Sequence, residues 1–157
     1  MGAAKVGTRA PDFSLTDMQG LRRPLREWLG QGQIVVAFFK VSCPTCQYTF
    51  PFLERLHQKL PGKLVGISQD GKRATEGFNR DYGVGFPVLL DPAEEDYPVS
   101  NAYGITHVPT LFLIEPDGRV ALTSAGFVKG DLEEIARRLG PVPLFHRDER
   151  VEAFRAG

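Results

Sequence analysis

A continuous apolar run, Ile34-Val35-Val36-Ala37-Phe38-Phe39, is followed by Cys46, Phe50, Leu53, Leu56, His57 and Leu60 recurring at helical spacing. The first reads as a buried strand and the second as a helix with one inward face. Pro51 falls inside the helical pattern and predicts a kink by removing a backbone donor, and Pro61-Gly62 ends the pattern. The alternation then repeats: residues 63–68 form a second apolar run, and residues 72–82 carry Ala74, Phe78 and Tyr82 on one helical face. Strand, helix, strand and helix in that order predict two parallel strands joined by a crossover.

The flanking patterns complete a sheet. Pro11-Asp12-Phe13-Ser14-Leu15 alternates apolar with polar, and Asp17-Met18-Gln19-Gly20 supplies turn chemistry, so an N-terminal hairpin is predicted. Residues 24–30 make a short helix with Leu25, Trp28 and Leu29 on one face, Trp28 serving packing. After a turn at residues 83–87, Val88-Leu89-Leu90 is a short strand and residues 98–103 a brief helix. Thr110-Leu111-Phe112-Leu113-Ile114 and Arg119-Val120-Ala121-Leu122-Thr123 flank Glu115-Pro116-Asp117-Gly118, which predicts an antiparallel hairpin. Asp131 is placed to cap a last helix with Leu132, Ile135, Ala136 and Leu139 inward, stopped by Gly140-Pro141. Residues 144–157 form a charged tail with widely spaced Leu144, Phe145, Val151 and Phe154, expected along the surface or against another chain.

Composition then sets limits. With 157 residues, 42% apolar and 24% charged, the chain fits one domain over residues 1–157, with a core of about 10–140 and a tail at 141–157. Lys plus Arg and Asp plus Glu both number 19, giving a formal charge of zero, and no like-charge block points to nucleic acid or a membrane surface. No apolar run reaches membrane-spanning length. No apolar leader precedes residue 11, so the chain as given reads as cytoplasmic, or as periplasmic if an export signal has been removed.

The chemistry lies where the first strand gives way to its helix, because both cysteines, Cys43 and Cys46, stand there with Pro44 and Thr45 between them. A helix start offers free N–H groups and a positive dipole end, which favour a thiolate at Cys43, while Cys46 faces inward one turn later. One sulfur can attack a foreign disulfide and the other can resolve the mixed disulfide, which is dithiol exchange. Free cysteines are often inert core residues, but packing alone gives no reason for a pair at a helix start. A closed zinc site needs four ligands, and neither a second cysteine pair nor the three scattered histidines supply them. No metal and no cofactor beyond a redox-active Cys43–Cys46 disulfide is expected.

The order of elements, together with Phe13-Ser14-Leu15, Cys43-Pro44-Thr45-Cys46, Phe86-Pro87-Val88-Leu89-Leu90-Asp91 and Val108-Pro109-Thr110-Leu111-Phe112-Leu113-Ile114, resembles the thioredoxin fold. Specifically, it resembles the TlpA/ResA-type redoxins, a branch of the AhpC/TSA-redoxin superfamily bordering the peroxiredoxins, over residues 10–140. The resemblance implies an α/β, three-layer fold: a central mixed sheet flanked by helices, with an N-terminal β-hairpin and a central insert. It implies a cis Val108–Pro109 bond against the cysteine pair, with the Val108 backbone offered to the substrate as a short strand pairing. Substrate contacts are expected at Pro44, Thr45, His107, Val108 and Pro109.

Departures from that pattern matter as much. The buried acid that thioredoxins proper carry six residues before the first cysteine is Ala37 here, so another group must move the proton. Asp70, in Ser68-Gln69-Asp70-Gly71, matches the acid that follows the second parallel strand in ResA-like members; the alternative is a turn residue opening the next helix. The usual Trp before the first cysteine is Ser42. Lys40 and His107 are the nearby groups that could favour a thiolate, or they sit on an exposed rim. His57 and His146 read as structural or surface residues. The expected activity is thiol-disulfide exchange through Cys43, Cys46 and Asp70, with a disulfide-containing protein or small thiol substrate and an upstream electron donor. The alternatives are a peroxiredoxin-like peroxidase, whose Thr and Pro positions fall on Cys43 and Phe39 if Cys46 is peroxidatic, and a non-catalytic binding module.

Overall fold

The computed structural model describes residues 2–157. A hairpin of β1 (Ser14–Asp17) and β2 (Arg22–Pro24) leads into a short helix α1 (Leu25–Leu29), and the first buried run forms β3 (Ile34–Phe39). The cysteine helix α2 (Pro44–Lys59) is followed by β4 (Leu64–Ser68), α3 (Lys72–Tyr82) and β5 (Val88–Leu90). Then come α4 (Pro98–Ala102), the hairpin of β6 (Thr110–Ile114) and β7 (Val120–Ala125), a two-residue β8 (Phe127–Val128), α5 (Lys129–Leu139) and β9 (Phe154–Arg155).

Seven strands make one mixed sheet in the order β2-β1-β5-β4-β3-β6-β7. β3, β4 and β5 run parallel, and β6 lies antiparallel to β3 with Ala37 opposite Leu111. Because successive side chains of a strand point to opposite faces, β3 feeds two cores. Val35, Ala37 and Phe39 face Cys46, Phe50, Leu53 and Leu56 of α2 and Leu132 and Ile135 of α5. Ile34, Val36 and Phe38 face Trp28, Tyr103, Phe112 and Ile114. The sheet is thus covered on both sides, giving the expected three layers, and burial on both faces explains why β3 and β4 read as unbroken apolar runs.

Helix α2 continues through Pro51 without a break. Trp28 is buried, with the Arg23 guanidinium 4.8 Å above its ring, so it packs as expected. Two local expectations change. On α3 the buried face is Thr75 and Phe78, and Ala74 is exposed, because the Thr75 hydroxyl is held inward by Ser68 Oγ at 2.7 Å. Helix α5 starts two residues before Asp131, which therefore lies in the first turn, where its carboxylate accepts the Ser124 hydroxyl at 2.6 Å in place of capping. No helix among the described residues is long and apolar enough to cross a membrane.

Candidate active site

Cys43 is the N-cap of α2, and Pro44 occupies the first helical turn, where its missing N–H costs nothing. The Cys43 sulfur accepts the Cys46 backbone N–H at 3.2 Å and lies 3.4 Å from the Val108 carbonyl, to which its thiol donates. Cys43 is half-buried and Pro44 is exposed, whereas Cys46 is fully buried under them; both thiols are free. Burial, then a hydrogen bond to Cys43, push the Cys46 thiol well above its ordinary range. The Lys40 backbone opposes this rise, and the charges of Cys43 and Asp70 add to it. The two sulfurs are therefore inequivalent: one meets solvent at a helix start, and the other is held as a thiol in the core.

The Val108–Pro109 bond is cis and Pro109 is buried, next in the chain to the carbonyl that faces Cys43. Its loop is fixed by Thr110 Oγ1, which donates to the His107 carbonyl at 2.7 Å, and by the Gly126 N–H, which donates to the Pro109 carbonyl at 2.7 Å. On the other side of the pair, Asp70 does not act as the cap of α3; Gly71 holds that position. The Asp70 carboxylate reaches across to accept the Val41 N–H at 2.8 Å, while its own N–H is turned by Ser68 Oγ at 3.0 Å. Gln47 Nε2 donates to the Val41 carbonyl at 2.9 Å, so both polar groups of the Val41 backbone are gripped by side chains. Gln47 escapes sequence reasoning: nothing in its spacing marks it as a brace for the loop ahead of Cys43.

Lys40 and His107 are exposed and line a cleft of about 280 Å³ beside Val108, with Gln69, Tyr97 and Asn101. His107 Nδ1 lies 3.0 Å from the Thr106 hydroxyl, and neither Lys40 nor His107 has a side-chain bond to a cysteine. Thr45, expected to meet substrate, is buried, and its hydroxyl donates to the Ala156 carbonyl at 2.6 Å. Ala37 lies directly in the core cluster with Cys46 and brings no acid there. His57 sits against Phe86 with its Nδ1 unpartnered among the described residues, remote from the pair. Among the described residues no three His, Cys, Asp or Glu side chains converge to hold a metal ion.

The model of the AhpC/TSA family matches residues 6–123. The chain belongs to the AhpC/TSA family. Within it, this redoxin is 30% identical over 142 residues to the thiol-disulfide oxidoreductase ResA of Bacillus thuringiensis subsp. konkukian, covering 87% of this chain and 80% of that one. It is 36% identical over 124 residues to ResA of Bacillus subtilis, covering 76% and 67%. A thiol:disulfide interchange protein of the thioredoxin family from Chlorobium tepidum superimposes with a TM-score of 0.70 at 26% identity, over 87% of this chain and 99% of that one. The redoxin has the thioredoxin fold, and its cysteine pair stands at the junction of β3 and α2 in the middle of that fold.

Proposed function

We infer that this redoxin is a thiol-disulfide oxidoreductase in which Cys43 attacks and Cys46 resolves. One observation carries the division of labour: Cys43 is only half-buried at the start of α2, while Cys46 is fully buried behind it with its N–H bonded to the Cys43 sulfur. A Cys43 thiolate adds to one sulfur of a substrate disulfide, forming a mixed disulfide and releasing the first substrate thiolate, which takes up a proton. Cys46 then loses its proton and attacks the Cys43 sulfur. The Cys43–Cys46 bond forms, the second substrate thiolate leaves, and two electrons have passed from the dithiol to the substrate. An upstream dithiol donor restores the pair by the same steps in reverse. Partners are accordingly a disulfide-containing protein or small disulfide and a dithiol reductant.

Asp70 is assigned to the proton of Cys46. Its carboxylate is aimed at the loop preceding Cys43, and its charge is felt at the Cys46 sulfur, both of which suit a group that receives that proton directly or through water. Val108 supplies a carbonyl at the attacking sulfur and Pro109 the wall beside it.

The test sets reduction of insulin disulfides by the dithiothreitol-recycled protein beside its consumption of hydrogen peroxide. Insulin reduction well above the dithiothreitol background, with slow peroxide turnover, is the expected result. Fast peroxide turnover without insulin reduction would assign the protein to the peroxidases of its family, and neither activity would leave a binding module.

A further inference from the structure

Residues 144–157 do not trail from the domain; they return across α2 to the redox centre. Leu144 is buried, and the Phe145 ring packs 5.0 Å from Phe52. Arg55 pairs with Glu149, and the Glu152 N–H donates to the Tyr48 hydroxyl at 3.1 Å. From there the segment is extended. The Lys129 N–H donates to the Ala153 carbonyl at 2.9 Å, and β9 pairs antiparallel with β8, Phe154 opposite Val128 and Arg155 opposite Phe127. The Ala156 carbonyl then accepts the hydroxyl of Thr45, one of the two residues between the cysteines, at 2.6 Å. Gly157 lies so close to Val108 that a Cβ there would overlap the Val108 carbonyl oxygen, the same oxygen that faces the Cys43 thiol.

Two properties of this contact identify what the groove accepts. The segment's backbone bonds are to β8, Lys129 and Thr45, it lies against the Val108 carbonyl, and Phe154 is 61% exposed, so an extended chain of other sequence would make the same bonds. Gly126 lets the Arg155 backbone approach it closely, and at Gly157 the Val108 carbonyl occupies the place of a Cβ, so the position beside the reacting sulfur has room for a glycine. A two-residue ladder is weak on its own, which makes the segment exchangeable. Its tether nonetheless presents it at about millimolar effective concentration.

We propose that β8, Thr45 and Val108 form a docking groove for an extended polypeptide substrate with small residues beside its disulfide, and that residues 153–157 hold this groove as a built-in competitor. The proposal rests on the thiol-disulfide reading. The polypeptide adds as a strand to β8, which presents its cystine to Cys43 once the resident segment has left.

The test uses the full chain and two variants that expel the segment without touching the cysteine machinery. Arg155→Pro removes a ladder donor and the guanidinium that stacks 4.7 Å from the Tyr48 ring, and Gly157→Val places a side chain where the Val108 carbonyl stands. Thermal melting of both confirms that the domain is folded. Reduction rates are measured with an unstructured peptide disulfide and with bis(2-hydroxyethyl) disulfide. Both variants should raise kcat/KM for the peptide disulfide about tenfold relative to the small one, as expected when a tethered competitor is lost. The synthetic heptapeptide of residues 151–157 should restore the inhibition, and its fluorescein-labelled form should bind the variants but not the wild type. Equal gains for both disulfides, no gain, or a loss of activity on release would overturn the proposal, as would failure of the labelled peptide to bind. If no disulfide is reduced by any of the three proteins, the exchange reading falls, and peptide binding still decides the groove.

Discussion

Cys46→Ser should accumulate covalent mixed disulfides with substrate proteins, whereas Cys43→Ser should form none, and steady-state disulfide reduction by both should fall to the uncatalysed background. The asymmetry follows from position. In Cys46→Ser the Cys43 sulfur keeps its place at the start of α2, the N–H of residue 46 and the Val108 carbonyl beside it, so the first displacement survives. The second displacement has lost its nucleophile, and the mixed disulfide persists until an external thiol removes it. In Cys43→Ser the remaining thiol is fully buried and held above its ordinary range by that burial, so it neither ionises at neutral pH nor meets a substrate. A buried hydroxyl without a partner costs about 1–3 kcal/mol, so Cys46→Ala serves as a companion that leaves no polar group in the core. The measurement is non-reducing electrophoresis and mass spectrometry of lysate proteins captured under thiol-blocking conditions. Equal capture by the two cysteine variants would remove the two-role scheme.

Asp70→Asn should slow insulin disulfide reduction on the order of 10²-fold at neutral pH with unchanged thermal stability. The amide oxygen of Asn can still accept the Val41 N–H, so the loop ahead of Cys43 stays braced by residue 70 and by Gln47. What is lost is the titrating group. Two effects of that loss have opposite signs, which makes the outcome decisive. The Asp70 charge helps to hold the Cys46 thiol protonated, so removing it alone would ease ionisation of Cys46 and speed the resolving step. Loss of a proton acceptor would slow the same step. A slower variant with an altered pH profile supports the relay, a faster one leaves Asp70 as a charge near the pair, and an unchanged one leaves it as a brace.

Most of the scaffold was legible because its signals are local and periodic. The apolar run of β3, the helical spacing from Cys46 to Leu60 and the Glu115-Pro116-Asp117-Gly118 turn each point to one element, and all three stand where expected. The cysteine pair was equally plain, since its meaning depends on two residues at a strand-to-helix junction. Local errors arose where a side chain answers to a distant partner. Asp131 looks like a helix cap until Ser124, on the neighbouring strand, claims its carboxylate. Ala74 falls on the apolar stripe by spacing, yet Thr75 takes the inward position because Ser68 is there to satisfy it.

The site shows the same division. Asp70 was singled out as a candidate from its place after the second parallel strand, but its bond to Val41 spans 29 positions of chain and has no sequence signature. The tail was the least legible part. Its apolar residues are too widely spaced for a helix or a long strand, and each is used singly: Leu144 in the core, Phe145 on Phe52, Val151 against the same cluster. Only the fold brings Ala156 to Thr45 and Gly157 to Val108, so a segment expected along the surface or against another chain lies on the redox centre.

The central claim is that Cys43 and Cys46 together carry the two electrons of one disulfide exchange. A single-turnover experiment tests this most directly: the reduced protein is mixed with one equivalent of insulin, acid-quenched, alkylated and mapped by mass spectrometry. The account predicts that the protein loses two hydrogens, that Cys43 and Cys46 become joined in one peptide disulfide, and that one substrate disulfide appears as two thiols. Recovery of both cysteines as free, alkylatable thiols after the substrate has been reduced, or of an oxygen-bearing cysteine in place of the disulfide, would contradict it.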